Sequence, residues 1–432
     1  MITSRHPADQ PPRVRRDEST RAIDAHPRPP SWFPSPQAPL SGIFVAEQTE
    51  LLAKHAPSAE VHVFAVPRRT LEIPFKRPLA AARVLGRWVG AAKHHVVRDS
   101  GNYVVHSFES LTWSERVAHG GLVYEARRML QVAREIERTR GRFDVVHAHV
   151  THPAGFVAEQ LARWLDVPLV VSEHMSPFPF DDMYGGDGRP RPDVMSAIEA
   201  ATRVTAVSRA HARSIEQFTD RTVEVMPNFI DETRFAPGTR ERSSPVELLS
   251  VGHLCHQKGF DVLLRALRLC LDEGLPLRLS IVGKGHLRDE LQALASELRL
   301  GDHVAWLGAP DRSTMPDVYR SADVFVLASR HESFGVVVIE ALASGVPVVA
   351  TECGGPEEIV TDACGALAPP EDPAALAAAI GRVVRRTFER SAIREHFESN
   401  YAASAVVPRL VELYREAIAQ HDAARSVSRR SA

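Results

Sequence analysis

Cysteine and lysine are both scarce in this chain of 432 residues. The four cysteines, Cys255, Cys270, Cys353 and Cys364, are scattered and form no Cys-x-x-Cys pair, so neither a disulfide frame nor a thiolate zinc site is indicated. Lys54, Lys76, Lys93, Lys258 and Lys284 are the only lysines among 52 basic residues. That bias to arginine, with the many alanines, points to a GC-rich bacterial genome rather than to a binding surface. A strong net charge is also missing. The formal value of -2 argues against a nucleic-acid binder working through a globally basic surface. No apolar run approaches the roughly 20 residues of a membrane-spanning helix, and the first residues hold no apolar signal-peptide core, so the expected compartment is the cytoplasm. No Asp-x-Asp pair offers itself to a metal, and Asp181-Asp182 precedes a glycine-rich loop and reads as loop surface.

What is present is concentrated in residues 332–360, ESFGVVVIEALASGVPVVATECGGPEEIV. Residues 322–329 before it form a short apolar run, the mark of a buried parallel strand. Residues 333–335 break that run, 336–344 continue as a helix ending at Gly345, 346–350 make the next strand, and Gly354-Gly355-Pro356 turns the chain again. Open α/β sheets bind ligands in the loops at the carboxyl ends of their strands. Glu332, Phe334, Gly335 and Gly355 all fall on that edge. The spacing of Glu332 and Glu340 means little alone, because a chain with 54 acidic residues contains such pairs by chance. Their place in an α/β repeat is what gives it weight, the plain alternative being a surface glutamate and a helix glutamate.

At 432 residues, with 44% apolar, 6% aromatic and 25% charged residues, the chain is too long for one core and suits two α/β domains. Strands are expected at residues 60–66, 143–149, 169–172, 204–207 and 222–226, and helices at 46–55, 122–139, 153–165 and 209–218. After a polar stretch at 227–245 the alternation restarts, with strands at 246–251, 277–282 and 303–307 and helices at 259–273, 287–298 and 315–321. Residues 373–420 read as largely helical and the tail from His421 as frayed. Residues 79–97 carry Val84, Leu85, Trp88, Val89 and Ala92 against Arg83, Arg87 and Lys93. Such a basic amphipathic helix either half-buries in a domain, the commoner case, or rests on an anionic membrane surface.

The 332–360 stretch resembles the signature of the retaining glycosyltransferases with a GT-B fold, the glycosyl transferases group 1 or GT4 family. Glu332, Ser333, Phe334, Gly335, Glu340, Ala341, Gly345, Pro347, Gly354, Gly355 and Glu358 stand at matching places. The resemblance covers roughly residues 31–420 and is densest over 246–370. It implies two Rossmann-like domains with parallel sheets facing a central cleft. The division it suggests is a disordered, atypical N-terminus at 1–30, an acceptor-side domain at 31–227, a linker at 228–245, a nucleotide-sugar-binding domain at 246–395, a helix crossing back at 396–420 and a tail at 421–432. Where relatives have an apolar first strand, residues 21–30 (RAIDAHPRPP) are too rich in proline and charge for a central strand.

The implied activity is transfer of a sugar from a nucleotide diphosphate donor to a hydroxyl of a glycan or lipid-linked acceptor, with retention, no metal and no other cofactor, as in polysaccharide biosynthesis. Peripheral contact with the inner face of the plasma membrane goes with that reading; binding of nucleic acid does not. By the same resemblance, Lys258 holds the diphosphate, Glu332 the donor sugar and Glu340 the ribose. Main-chain N–H groups around Phe334, Gly335 and Val336 meet the distal phosphate, and Gly283 begins the loop near the base. His253 stands where relatives carry an arginine, and a neutral imidazole grips phosphate less well. His174 matches a histidine beside donor sugar and acceptor, His149 lines the acceptor side, and Gly42 matches an N-terminal loop glycine that faces the diphosphate. Plainer alternatives are a solvated loop lysine at Lys258 and a strand-end histidine bonded to a backbone carbonyl at His174. Two rival functions remain: another enzyme on this fold, such as a nucleotide-sugar epimerase or a phosphorylase, and a degenerate, non-catalytic binding subunit.

Overall fold

The structure, a computed structural model, describes residues 42–66, 68–70, 79–80, 82–83, 86, 95–108, 110–112, 121–239 and 243–430. The expectations for residues 1–41 lie outside these, as does most of the amphipathic stretch at 79–97. No helix among the described residues is long and apolar enough to cross a membrane.

The N-terminal half holds β1 (Val61–Ala65), β2 (Arg68–Thr70), β3 (His95–Asp99), β4 (Tyr103–Phe108), β5 (Ser110–Thr112), β6 (Val146–His149), β7 (Leu169–Glu173), β8 (Arg203–Ala206) and β9 (Val223–Val225). Strands β6-β7-β8-β9 form one parallel sheet. In a second sheet β4 lies between a parallel β1 and an antiparallel β3, and β2 and β5 pair separately. Among the described residues β1 pairs only with β4 and β6 only with β7, so each ends a sheet. His62 on β1 nevertheless meets Phe143 just before β6, with ring centroids 5.6 Å apart, which sets the two sheets side by side. The helix Leu122–Arg140 buries Leu122, Glu125, Ala126, Met129 and Ala133, one face at helical spacing.

The reading of 79–97 as one amphipathic stretch is corrected at its end, since His95–Asp99 is strand β3. The cause is a turn. Gly101 takes φ 84°, in the left-handed region, and its N–H donates to Asp99 Oδ1 at 2.8 Å, folding the chain back into β4.

The C-terminal half is a six-stranded sheet of β10 (Val246–Val251), β11 (Leu277–Val282), β12 (Val304–Gly308), β13 (Val324–Leu327), β14 (Val348–Thr351) and β15 (Gly365–Ala368). The order is β12-β11-β10-β13-β14-β15 and every pairing is parallel. Strands β13 and β14 are buried at every residue, which is why they read as unbroken apolar runs. The strand order reverses between β10 and β13, so the loops after these two strands diverge and leave a crevice. Lys258 follows β10 and Glu332 follows β13.

The last helices tie the halves together. Helix Arg390–Tyr401 buries Ile393, Phe397 and Tyr401 against the C-terminal core. Helix Ala403–Arg430 packs Val406, Val407 and Leu410 with Leu51 of helix Ile43–His55 and Val170 of β7. A crossing-back helix starting at 396 and a frayed tail after 420 are therefore both corrected. Residue 396 lies inside the first of these helices, and the second continues to Arg430. The tail is held because Arg425 pairs with Asp166 Oδ2 at 2.9 Å and His421 lies 3.4 Å from Asp166 Oδ1. Where the chain passes back, Ile230 N donates to Tyr401 O at 3.2 Å and Ala403 N to Ile230 O at 3.1 Å. The two passages between the halves are thus bonded to each other.

Candidate active site

The loop after β10 is shaped by glycine. Gly259 sits at φ 61°, and a Cβ there would lie 2.0 Å from Ala328 O, so only glycine lets the loop after β10 lie against the end of β13. That approach brings Lys258 Nζ to 2.5 Å from Glu332 Oε1. Ser329 Oγ donates to the same carboxylate oxygen at 2.9 Å. The Glu332 backbone is fixed from below: its N–H donates to Cys353 O at 3.0 Å and its carbonyl accepts from Gly355 N at 3.0 Å. Gly355 must lack a side chain, since a Cβ would lie 2.2 Å from Phe334 Cα. Phe334 itself turns inward, 3% exposed, against the Tyr401 ring, leaving its main chain to the crevice. Gly335 and Val336 open the helix Val336–Ala343.

The N-terminal half meets this loop directly. Ser333 Oγ donates to His174 O at 2.9 Å, and Ser208 Oγ donates to Ser333 O at 2.7 Å while accepting from His211 N at 3.1 Å. Ser176 bonds His331 across the same gap, and Ala210 N donates to Glu358 Oε1 at 3.0 Å. The structure therefore brings Lys258, Glu332 and the β7 end bearing His174 to one cleft. His149 Nδ1 lies 2.9 Å from His174 Nε2, just past the end of β7. Gly42 precedes helix Ile43–His55, whose Phe44 ring packs 5.1 Å from His174, so it too lies near the cleft. Gly283 abuts the loop after β10, where a Cβ would lie 1.8 Å from Gly252 O, and His253 is exposed on that loop.

Glu173, beside His174, has no place among the sequence candidates. It is fully buried. Its Oε2 accepts from Thr151 N at 2.8 Å and Thr151 Oγ1 at 2.6 Å; its Oε1 accepts from His174 N and Met175 N, both at 2.8 Å. Burial raises its carboxyl above the ordinary value and these four donors pull it back. One carboxylate thus fixes the loop after β6 and the residues bearing the cleft histidine. The available signal was an ionisable residue ending a buried apolar strand, where it must be paired.

Glu340 is placed differently from an open ribose acceptor. It is 1% exposed; Tyr319 OH donates to its Oε2 at 2.7 Å, and Arg312 Nη2 lies 2.5 Å from its Oε1. Arg312 also grips Glu47 through Nε at 3.0 Å and Nη2 at 2.9 Å.

Buried histidines make stability depend on pH. His149 is pushed down to about 4 by burial, His211 to about 4 by burial and His331, and His106 to about 4 by burial, His62 and His95. His106 shares its ring nitrogens with His62 at 2.9 Å and His95 at 3.2 Å. An unfolded chain takes up these protons as pH falls through 6.5, whereas the folded chain resists until about 4. Stability is therefore full above pH 6.5 and is expected to fall between 6.5 and about 4. A melting temperature unchanged across that interval would contradict this.

Two parallel-sheet domains meeting at a strand-order reversal, with the signature loop in the cleft, are the architecture of a GT-B glycosyltransferase. Comparison with known proteins agrees. The profile described as Glycosyltransferase Family 4 matches residues 45–234, and that described as Glycosyl transferases group 1 matches residues 231–400. The D-inositol 3-phosphate glycosyltransferase 1 of Catenulispora acidiphila is 32% identical over 313 residues, 65% of this chain and 74% of that protein. An uncharacterized glycosyltransferase of Methanocaldococcus jannaschii is 29% identical over 66% of this chain and 80% of its own length. Among solved structures, sucrose-phosphate synthase from Thermosynechococcus elongatus superposes with TM-score 0.61 at 19% identity, covering 88% of this chain and 93% of that one. Anabaena HepE in complex with UDP gives 0.58 at 21% identity, over 71% and 86%. The chain belongs to the glycosyl transferases group 1 family and is a glycosyltransferase.

Proposed function

We propose that this enzyme moves a sugar from a nucleotide diphosphate donor to a hydroxyl of a glycan or glycolipid acceptor, with retention and without a metal ion. The observation that carries this is the 2.5 Å pair between Lys258 and Glu332, set at the strand-order reversal and facing His174. The names of neighbours support it: HepE is described in complex with UDP and with UDP-glucose, and several relatives are named for D-inositol 3-phosphate.

In this reading an arriving diphosphate takes over Lys258, whose charge stabilises the leaving group together with the N–H groups that open helix Val336–Ala343. Glu332, released from the lysine, accepts bonds from sugar hydroxyls. His174, just past the end of β7, holds the sugar beside it. No protein nucleophile is needed, because the acceptor attacks from the face the diphosphate leaves. A lipid-linked acceptor would be met at exposed apolar residues such as Val96 and Val97, which adjoin the exposed Arg98 on β3.

The test is a thermal-shift panel of UDP-, GDP- and ADP-sugars, followed by turnover in EDTA with glycan, glycolipid and inositol phosphate acceptors. One donor is expected to raise the melting temperature of the wild type and not of Glu340→Ala. The anomeric configuration of the product, read by NMR, should match that of the donor. Inversion, or turnover abolished by EDTA, would overturn the mechanism. An equal shift in Glu340→Ala would remove Glu340 from the donor site.

A further inference from the structure

Arg312 holds two carboxylates from opposite halves of the protein. Glu340 belongs to the C-terminal half, and Glu47 to helix Ile43–His55 of the N-terminal half. The guanidinium makes a two-point bond to Glu47 and an ion pair at 2.5 Å with Glu340 Oε1. Arg234, in the passage between the halves, reinforces the Glu47 side: its Nη1 donates to Glu47 Oε1 at 2.7 Å and its Nη2 to Arg312 O at 2.5 Å. Burial alone would raise the Glu47 carboxyl, yet Arg312 and Arg234 bring it below the ordinary value, so it stays a strong anchor.

The two ends are unequal. On Glu47 both guanidinium contacts are aligned hydrogen bonds. On Glu340 there is a single contact, to Oε1 at 2.5 Å, against two on Glu47. A carboxylate with one oxygen held by Tyr319 and the other by a single ion-pair contact can exchange that contact for a hydroxyl.

We propose that Arg312 is a latch on the donor site: it caps Glu340 in the empty enzyme, and donor binding moves it wholly onto Glu47. The proposal rests on the reading of Glu340 as the ribose acceptor. The latch also explains why Glu47 lies on the opposite half, since the displaced guanidinium then tightens the contact between the halves just as the site fills.

The experiment titrates UDP, GDP and ADP calorimetrically into the full chain and its variants, with melting temperatures recorded to confirm folding; the tightest of the three serves throughout. Arg312→Gln is expected to bind it about 5- to 10-fold more tightly, and Glu47→Gln to bind it more weakly by a similar factor. The double variant should behave as Arg312→Gln alone. Weakening in both single variants would mean that Arg312 is a plain structural tie or a direct donor ligand, and overturns the latch. Glu340→Gln separates the two readings. If it loses binding while Arg312→Gln fails to tighten, the latch alone is wrong. If neither changes binding, the ribose assignment has failed and the latch with it. Should the wild type bind none of the three, binding gained in Arg312→Gln supports the latch, and its absence there overturns it.

Discussion

Replacing Lys258 by alanine is expected to lower kcat/KM for the donor about 100- to 1,000-fold, the usual cost of removing one fixed group that meets developing charge. On the proposed role of Lys258 the loss should fall mainly on kcat, because the lysine would act most as negative charge builds on the departing diphosphate. Stability will also suffer, since Glu332 is 8% exposed and would be left with Ser329 as its remaining side-chain partner. The double variant Lys258→Ala/Glu332→Gln separates the two effects. It should recover most of the melting temperature and none of the activity. Recovery of both would show that the pair is structural, leaving the diphosphate without its cation.

Glu173→Ala should be the most destabilising single change in the N-terminal half. It removes the acceptor of four bonds from Thr151, His174 and Met175 at the end of a buried strand. Unsatisfied buried donors cost about 1–3 kcal/mol each, so even with partial hydration the loss should reach about 3 kcal/mol or more. Urea unfolding measures it, and a loss under about 1 kcal/mol would mean that water replaces the carboxylate freely. Glu173→Gln should recover only part, since its amide turns N–H donors toward backbone N–H groups. Activity should fall further than stability explains, because the residues carrying His174 lose their anchor.

The C-terminal half was legible because its physics is local. Strands buried on both faces must be apolar runs, and the glycines at Gly259 and Gly355 are demanded by backbone contacts that fall within the signature loops. The same motifs singled out Lys258 and Glu332, though not the contact between them. The hairpin of β3 and β4 was not legible, since every residue of β3 is exposed and no alternation marks it. The last turns of the C-terminal helix escaped notice for a related reason: HDAARSVSRR has no apolar period, and its order comes from Asp166, far away in sequence. Glu340 is the instructive case. Its residue type and position were readable, but its partner Arg312 lies on a short helical turn and is shared with Glu47 on a helix of the other half, and no spacing rule links such positions.

The bonded passages at Ile230 and Ala402 have a mechanical consequence. Two rigid bodies joined by a single strand could twist, slide and bend relative to one another. Joined by two passages bonded side by side, they are held against twisting and sliding where the passages meet. The final helix leaves that point and lies across the N-terminal half, packed on Leu51 and Val170. With Arg425 paired to Asp166 at its far end, that helix pins the two halves at a second place, remote from the first.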